Sequence, residues 1–182
     1  MGEMADRYRK VAAQFTARVE AVPADRWDDP APCEGWVARD VVGHLVEWLP
    51  AFFFERWGIT AVIPPVEADP VAAWAALDRA LQAALDDPTV AEVQHDTPMG
   101  PMTFEQAVTM ICTPDVLVHT WDLARATGLD ETMDAEEVHR YVESMEPLDA
   151  MLRTSGHYGP RVAVPDDADE QTRLIAFLGR QP

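Results

Sequence analysis

The stretch CTPDVLVHTWDLARATG, residues 112–128, sets Asp115 and His119 four positions apart in a segment of helical periodicity. Side chains at i and i+4 share one helix face, so a carboxylate and an imidazole project to the same side. A second helical segment, VARDVVGHLVEWL, places His44 among apolar residues. One imidazole from one helix and an Asp-x-x-x-His pair from another would make a three-ligand metal site in the core of a bundle. Imidazole nitrogen and carboxylate oxygen suit zinc and similar divalent ions. Three protein ligands leave a fourth position for water or substrate, the pattern of catalytic sites. Two neutral ligands and one anion leave such an ion about one unit of positive charge, enough to lower the pKa of bound water or thiol.

The same three residues admit a metal-free reading, with His44 and His119 as core groups hydrogen-bonded to Asp115, and spacing alone leaves both open. Glu47 forms H-x-x-E with His44 and is an alternative ligand, or an exposed charge. Asp122 after His119, and Asp40 before His44, are spaced to accept the second ring N–H that a ligating imidazole offers. Cys112, two turns before His119, falls on the same stripe if the helix stays regular past Pro114; it is a fourth ligand or a small buried filler. His95, His139 and His157 read as solvent-facing groups. The Trp and Met positions read as core. There is no G-x-S-x-G, G-x-x-x-x-G-K-[ST], G-x-G-x-x-G or H-E-x-x-H.

Composition narrows the function classes. The chain has 182 residues, 48% of them apolar, which is enough for one domain with a real core and excludes the disordered class. The 14 Lys and Arg against 32 Asp and Glu give a net charge of -18, a field that repels phosphate backbones and anionic membranes. No run reaches the roughly 18 to 20 apolar residues a membrane helix needs, and no signal peptide is visible at the N-terminus. Cytoplasmic residence is the expectation. Cys33 and Cys112 form no C-x-x-C and read as two reduced thiols.

The elements that must position the ligands are helical. Residues 3–22 carry Tyr8, Val11, Ala12, Phe15, Val19 and Val22 on one stripe, with Pro23 ending it. A second helix runs from about Val37 into the fifties. Pro50 is expected to kink or break it, and Gly58 is its stop. Asp69-Pro70 starts a third, with Val71, Trp74, Leu77, Leu81 and Leu85 on its apolar side. Residues 89–102 are a loop with a short hairpin around Gly100. Thr103 and Gln106 make a capping box for the fourth helix, in which Pro114 predicts a kink one turn before His119. Asp134 with Glu137 opens a fifth helix up to Pro147. The tail, 155–182, is first extended and then helical, capped by Asp167, with Leu174, Ile175, Phe177 and Leu178 buried. The fold class is all-α: an antiparallel helix bundle with an additional helix and a C-terminal tail helix.

Three segments, CEGWVARDVVGHLVEW, DVLVHTWDLARATG and YGPRVAVPDDADEQTRLIAFLGR, resemble the DinB-like superfamily. More narrowly they resemble the actinobacterial metal-binding proteins related to the N-terminal domain of mycothiol-dependent maleylpyruvate isomerase. The resemblance implies a DinB-like four-helix bundle with a divalent metal at one end: zinc first, with nickel, iron or manganese as alternatives. It places the ligands on His44, Asp115 and His119, with Asp115 where the isomerase is expected to carry Glu. It also implies a metal-dependent, thiol-using transferase or isomerase of small molecules, a mycothiol-type thiol as cosubstrate, and a homodimer. The isomerase has a separate C-terminal domain where this chain has a short tail, so isomerase activity itself is not carried over. The alternative function is a non-catalytic metal- or ligand-binding bundle.

Overall fold

The computed structural model describes residues 2–154 and 159–182. His157 therefore lies outside the described residues. Helix α1, Glu3–Ala21, buries Ala5, Tyr8, Val11, Ala12, Phe15 and Val19 along the expected stripe and stops before Pro23. Helix α2, Ala38–Trp57, buries Val41, Val42, Leu45, Leu49 and Phe53 and closes on Gly58 in the left-handed conformation. It runs unbroken through Pro50. The one ladder bond that Pro50 removes is outweighed by the burial of Leu49 and Phe53 on either side of it.

Helix α3, Pro70–Asp86, is N-capped by Asp69, whose carboxylate accepts from the Ala72 N–H at 2.9 Å. The Trp74 indole donates to Thr16 Oγ1 at 2.8 Å and ties α3 to α1. After a four-residue helix α4, Pro88–Ala91, comes the hairpin: β1, Gln94–Thr97, and β2, Gly100–Thr103, antiparallel with Gln94 opposite Thr103. His95 is not a solvent-facing loop residue. It lies half-buried in β1 with its ring edge-on to Trp57 at 5.4 Å.

The fourth helix of the sequence reading is built in three pieces. Helix α5, Phe104–Ala107, has the expected capping box, with Thr103 and Gln106 each accepting from the other's N–H. A π-helical turn, Val108–Cys112, follows, and then helix α6, Thr113–Thr127. Pro114 has no N–H to give to the carbonyl four residues back. The chain widens by one residue ahead of it, so the Thr113 N–H reaches the Val108 carbonyl instead. The expected kink is thus a π-bulge. One inserted residue rotates everything downstream by roughly 100°, and that rotation fixes where Asp115 and His119 point.

In the bundle, α1 packs between α3 and α6, and α2 packs against α3 and α6 on the other side. Helix α7, Ala135–Met145, is capped by Asp134 and packs on α6. A 3-10 turn, Glu146–Leu148, leads to α8, Asp149–Thr154. The tail helix α9, Glu170–Phe177, packs on α7 and buries Leu174, Ile175 and Phe177, with Leu178 just beyond its end. Its cap is Asp169, not Asp167. Asp169 accepts from both the backbone N–H and the hydroxyl of Thr172, while the segment before it is spent in a turn closed by Ala168 N–H on the Pro165 carbonyl. Gly179, at φ +84°, ends α9 in a Schellman turn, with Arg180 N–H reaching the Ile175 carbonyl and Gly179 N–H the Ala176 carbonyl. This reversal turns Arg180 back toward α6.

Candidate metal centre

Helix α2 brings His44 and helix α6 brings Asp115 and His119 to one point, with their donor atoms all within 4.8 Å of one another. His44 Nε2 stands 3.4 Å from Asp115 Oδ2, and His119 Nε2 stands 3.5 Å from Asp115 Oδ1. Both are ion-pair distances, longer than the about 2.7–3.2 Å of an ordinary N–H···O hydrogen bond. Two donors bound to one tetrahedral ion at about 2.0–2.2 Å are separated by roughly 3.3–3.6 Å. The donor set and its spacing therefore fit a divalent ion. At the same distances the two imidazoles, when protonated, are ion-paired to Asp115.

The surroundings fix these groups. The Trp48 indole N–H, one turn after His44, donates to Asp115 Oδ2 at 2.9 Å. Trp36 lies parallel to the His119 ring at 5.9 Å between centroids, and tilts against His44 at 5.2 Å. His119 is buried, whereas the His44 and Asp115 side chains keep 32% and 26% of their surface exposed, so the centre opens to solvent on that side. His119 Nδ1 meets Asp122 Oδ2 at 2.9 Å, which leaves Nε2 free for the centre. Asp122 is fully buried and is gripped from the tail by Arg180, Nε on Oδ1 at 2.6 Å and Nη2 on Oδ2 at 2.7 Å. Cys33 Sγ sits 3.6 Å from Asp122 Oδ2.

The electrostatics favour a cation. Burial opposes charge on His119, but Asp115 and Asp122 outweigh it and raise the ring to about 9. Burial pushes Asp115 up, yet the two imidazoles hold it well below the usual carboxylate range. Asp122 is likewise held low by His119 and Arg180 against burial. Burial and Asp122 push the Cys33 thiol up to about 12, against Arg180. The carboxylates that hold a proton on His119 create the field in which a metal ion would take that proton's place.

Other residues weighed for the site fall elsewhere. Glu47 is exposed and belongs to no converging donor group among the described residues. Asp40 does not orient His44; it is exposed and accepts from the Val37 N–H at 2.8 Å as a cap of α2. Cys112 is fully buried apolar filling and joins no donor group among the described residues. His139 is exposed, paired with Glu170 and Glu143. Trp36 and Trp48, read from sequence as core, wall the site. A signal for Trp48 was available, since it lies four residues after His44 and shares its face. Nothing local in the sequence marked Cys33 or Arg180.

Comparison with known proteins places these residues in a family. The chain matches the Mycothiol maleylpyruvate isomerase N-terminal domain over residues 8–124, a span holding His44, Asp115, His119 and Asp122 but not Arg180. Two uncharacterized proteins of Mycobacterium tuberculosis, from strains CDC 1551 / Oshkosh and H37Rv, are each 28% identical to it over 176 residues, covering 95% of both chains. No solved structure matches. The chain belongs to the mycothiol maleylpyruvate isomerase N-terminal domain family, of DinB-like all-α fold.

Proposed function

We propose that this member of the family holds a divalent metal ion, zinc first, on His44, Asp115 and His119, and serves a metal-dependent transfer or isomerisation that uses a low-molecular-weight thiol of the mycothiol type. The observation that carries the reading is the convergence of the three donors within 4.8 Å of one another, with each imidazole at a separation from Asp115 that suits a shared ion. When bound, the ion supplies Lewis acidity at its open position, lowering the pKa of a thiol or water there. The protein's own groups do the rest. Asp122 keeps the proton on His119 Nδ1, and Trp48 holds Asp115 in place. Trp36 covers the imidazoles, so access is from the His44 and Asp115 side. A substrate there meets indole faces and a site backed by carboxylates. Both cysteines are unpaired, which suits the reducing cytoplasm where such thiols circulate. The acidic surface favours small-molecule substrates over nucleic acid or membrane. A homodimer belongs to the same proposal, and its test is the mass in solution.

Elemental analysis of the untagged protein tests the site. One equivalent of metal is expected in the wild type, and none in His44→Ala or His119→Ala that keep their helicity. Metal-free wild type would sink the proposal. Turnover of thiol with small electrophiles, lost with the metal, tests the reaction. Bound metal without turnover would leave the non-catalytic binding bundle as the function.

A further inference from the structure

His119 belongs to two donor groups. Through Nε2 it joins His44 and Asp115; through Nδ1 it joins Cys33 and Asp122, whose donors also lie within 4.8 Å of one another. A thiolate, an imidazole and a carboxylate form a set that borderline ions such as zinc and cobalt bind readily, more so than one with no sulfur. A neutral imidazole has one lone pair, so an ion cannot occupy both groups through His119 at once. What separates the two is Arg180. Its guanidinium takes both oxygens of Asp122, at 2.6 and 2.7 Å, and its Nη2 lies 3.5 Å from Cys33 Sγ. A guanidinium stays charged at any working pH, and here it fills the place and the charge that a second ion would need.

We propose that Arg180 is a specificity-determining residue for the metal: by occupying Asp122 and abutting Cys33 it closes a latent thiolate-containing site and directs the ion to His44, Asp115 and His119. This rests on the metal reading above and goes beyond it. Arg180 reaches this position through the Schellman turn at Gly179, from a segment outside the family match. Once the guanidinium is gone, the Asp122 carboxylate keeps only the His119 Nδ1 contact and the Cys33 thiol beside it, and its charge is left for an ion to neutralise. An ion entering there bonds to sulfur, to the Asp122 carboxylate and to His119 Nδ1 as the Cys33 S–H and the His119 Nδ1–H each give a proton to solvent, with no change of oxidation state.

The test is cobalt(II) titration of metal-stripped full-length protein, read by near-ultraviolet sulfur-to-cobalt charge transfer. Wild type is expected to bind one equivalent without a sulfur band. Arg180→Gln is expected to gain the band, and Arg180→Gln with Cys33→Ser to lose it again. Arg180→Lys, which keeps a cation beside Asp122 and guards against a folding defect in the neutral variant, is expected to stay without the band. A sulfur band already in wild type, or cobalt bound by Arg180→Gln without one, overturns the proposal while the family's metal binding stands. Wild type that binds no cobalt overturns the metal reading and this inference with it.

Discussion

At the scale of single residues, the centre depends on contacts that hold each donor in one orientation. Asp115 can share its charge between two imidazoles only if its carboxylate does not swing. The hydrogen bond from Trp48, at 2.9 Å, is what prevents the swing. Trp48→Phe keeps an aromatic ring beside His44 and removes the donor. Partners of this kind typically account for 10- to 100-fold in metal affinity, so a loss of about that size is expected in a competition titration with a chromogenic chelator. Unchanged affinity would show that α6 alone positions Asp115. Asp122 works in the same way on His119, with the difference that it is fully buried and needs Arg180 to offset its charge.

At the scale of elements, caps and bulges decide which way faces point. The π-turn at Val108–Cys112 lets α6 follow α5 despite Pro114 and rotates the Asp115 and His119 face toward α2. Helix α7 begins on Asp134, which accepts from the Glu137 N–H at 3.1 Å and pairs with Lys10 of α1 at 2.8 Å. Burial raises the Asp134 carboxyl, but Lys10 and the capped N–H groups prevail and hold it below its ordinary value. A depressed carboxylate stabilises the fold above its unfolded pKa, near 3.9, and that contribution is lost as pH falls through the folded value. Asp134→Asn keeps the cap and loses the charge. Below about pH 4 its melting temperature is expected to fall less steeply than that of the wild type. Parallel acid limbs in the two melting curves would remove Asp134 from this role.

At the scale of the whole molecule, the ion would link helices distant in sequence. His44 lies on α2 and its partners on α6, so the proposed ion would join two sides of the bundle and stabilise the folded state alone. Linkage gives about 2.7 kcal/mol when free metal stands at 100 times its dissociation constant. A chelator is therefore expected to lower the melting temperature of the wild type and leave that of His44→Ala unchanged. An equal response in both would place the stabilising ion elsewhere. No helix among the described residues is long and apolar enough to cross a membrane.

The sequence by itself determined what depends on neighbours along the chain. Apolar stripes at three- and four-residue spacing marked α1 and α3, and Asp69-Pro70, Thr103 with Gln106, and Asp134 with Glu137 marked three starts. The i, i+3 and i, i+4 geometry of α6 made Asp115, His119 and Asp122 legible as a set, since their relation is set within one helix. Position was harder wherever one local rule competed with another: Pro50 left α2 intact, Pro114 produced a π-turn, and Asp169 took the cap of α9 from Asp167. Tertiary structure alone decided which faces meet across the bundle. It brought Trp36 and Trp48 over the donors, set Cys33 beside Asp122, and carried Arg180 across 58 residues to close on that carboxylate. Such partners share no helix with the groups they govern, so no periodicity records them; they are fixed only when packing brings the chain's distant parts together.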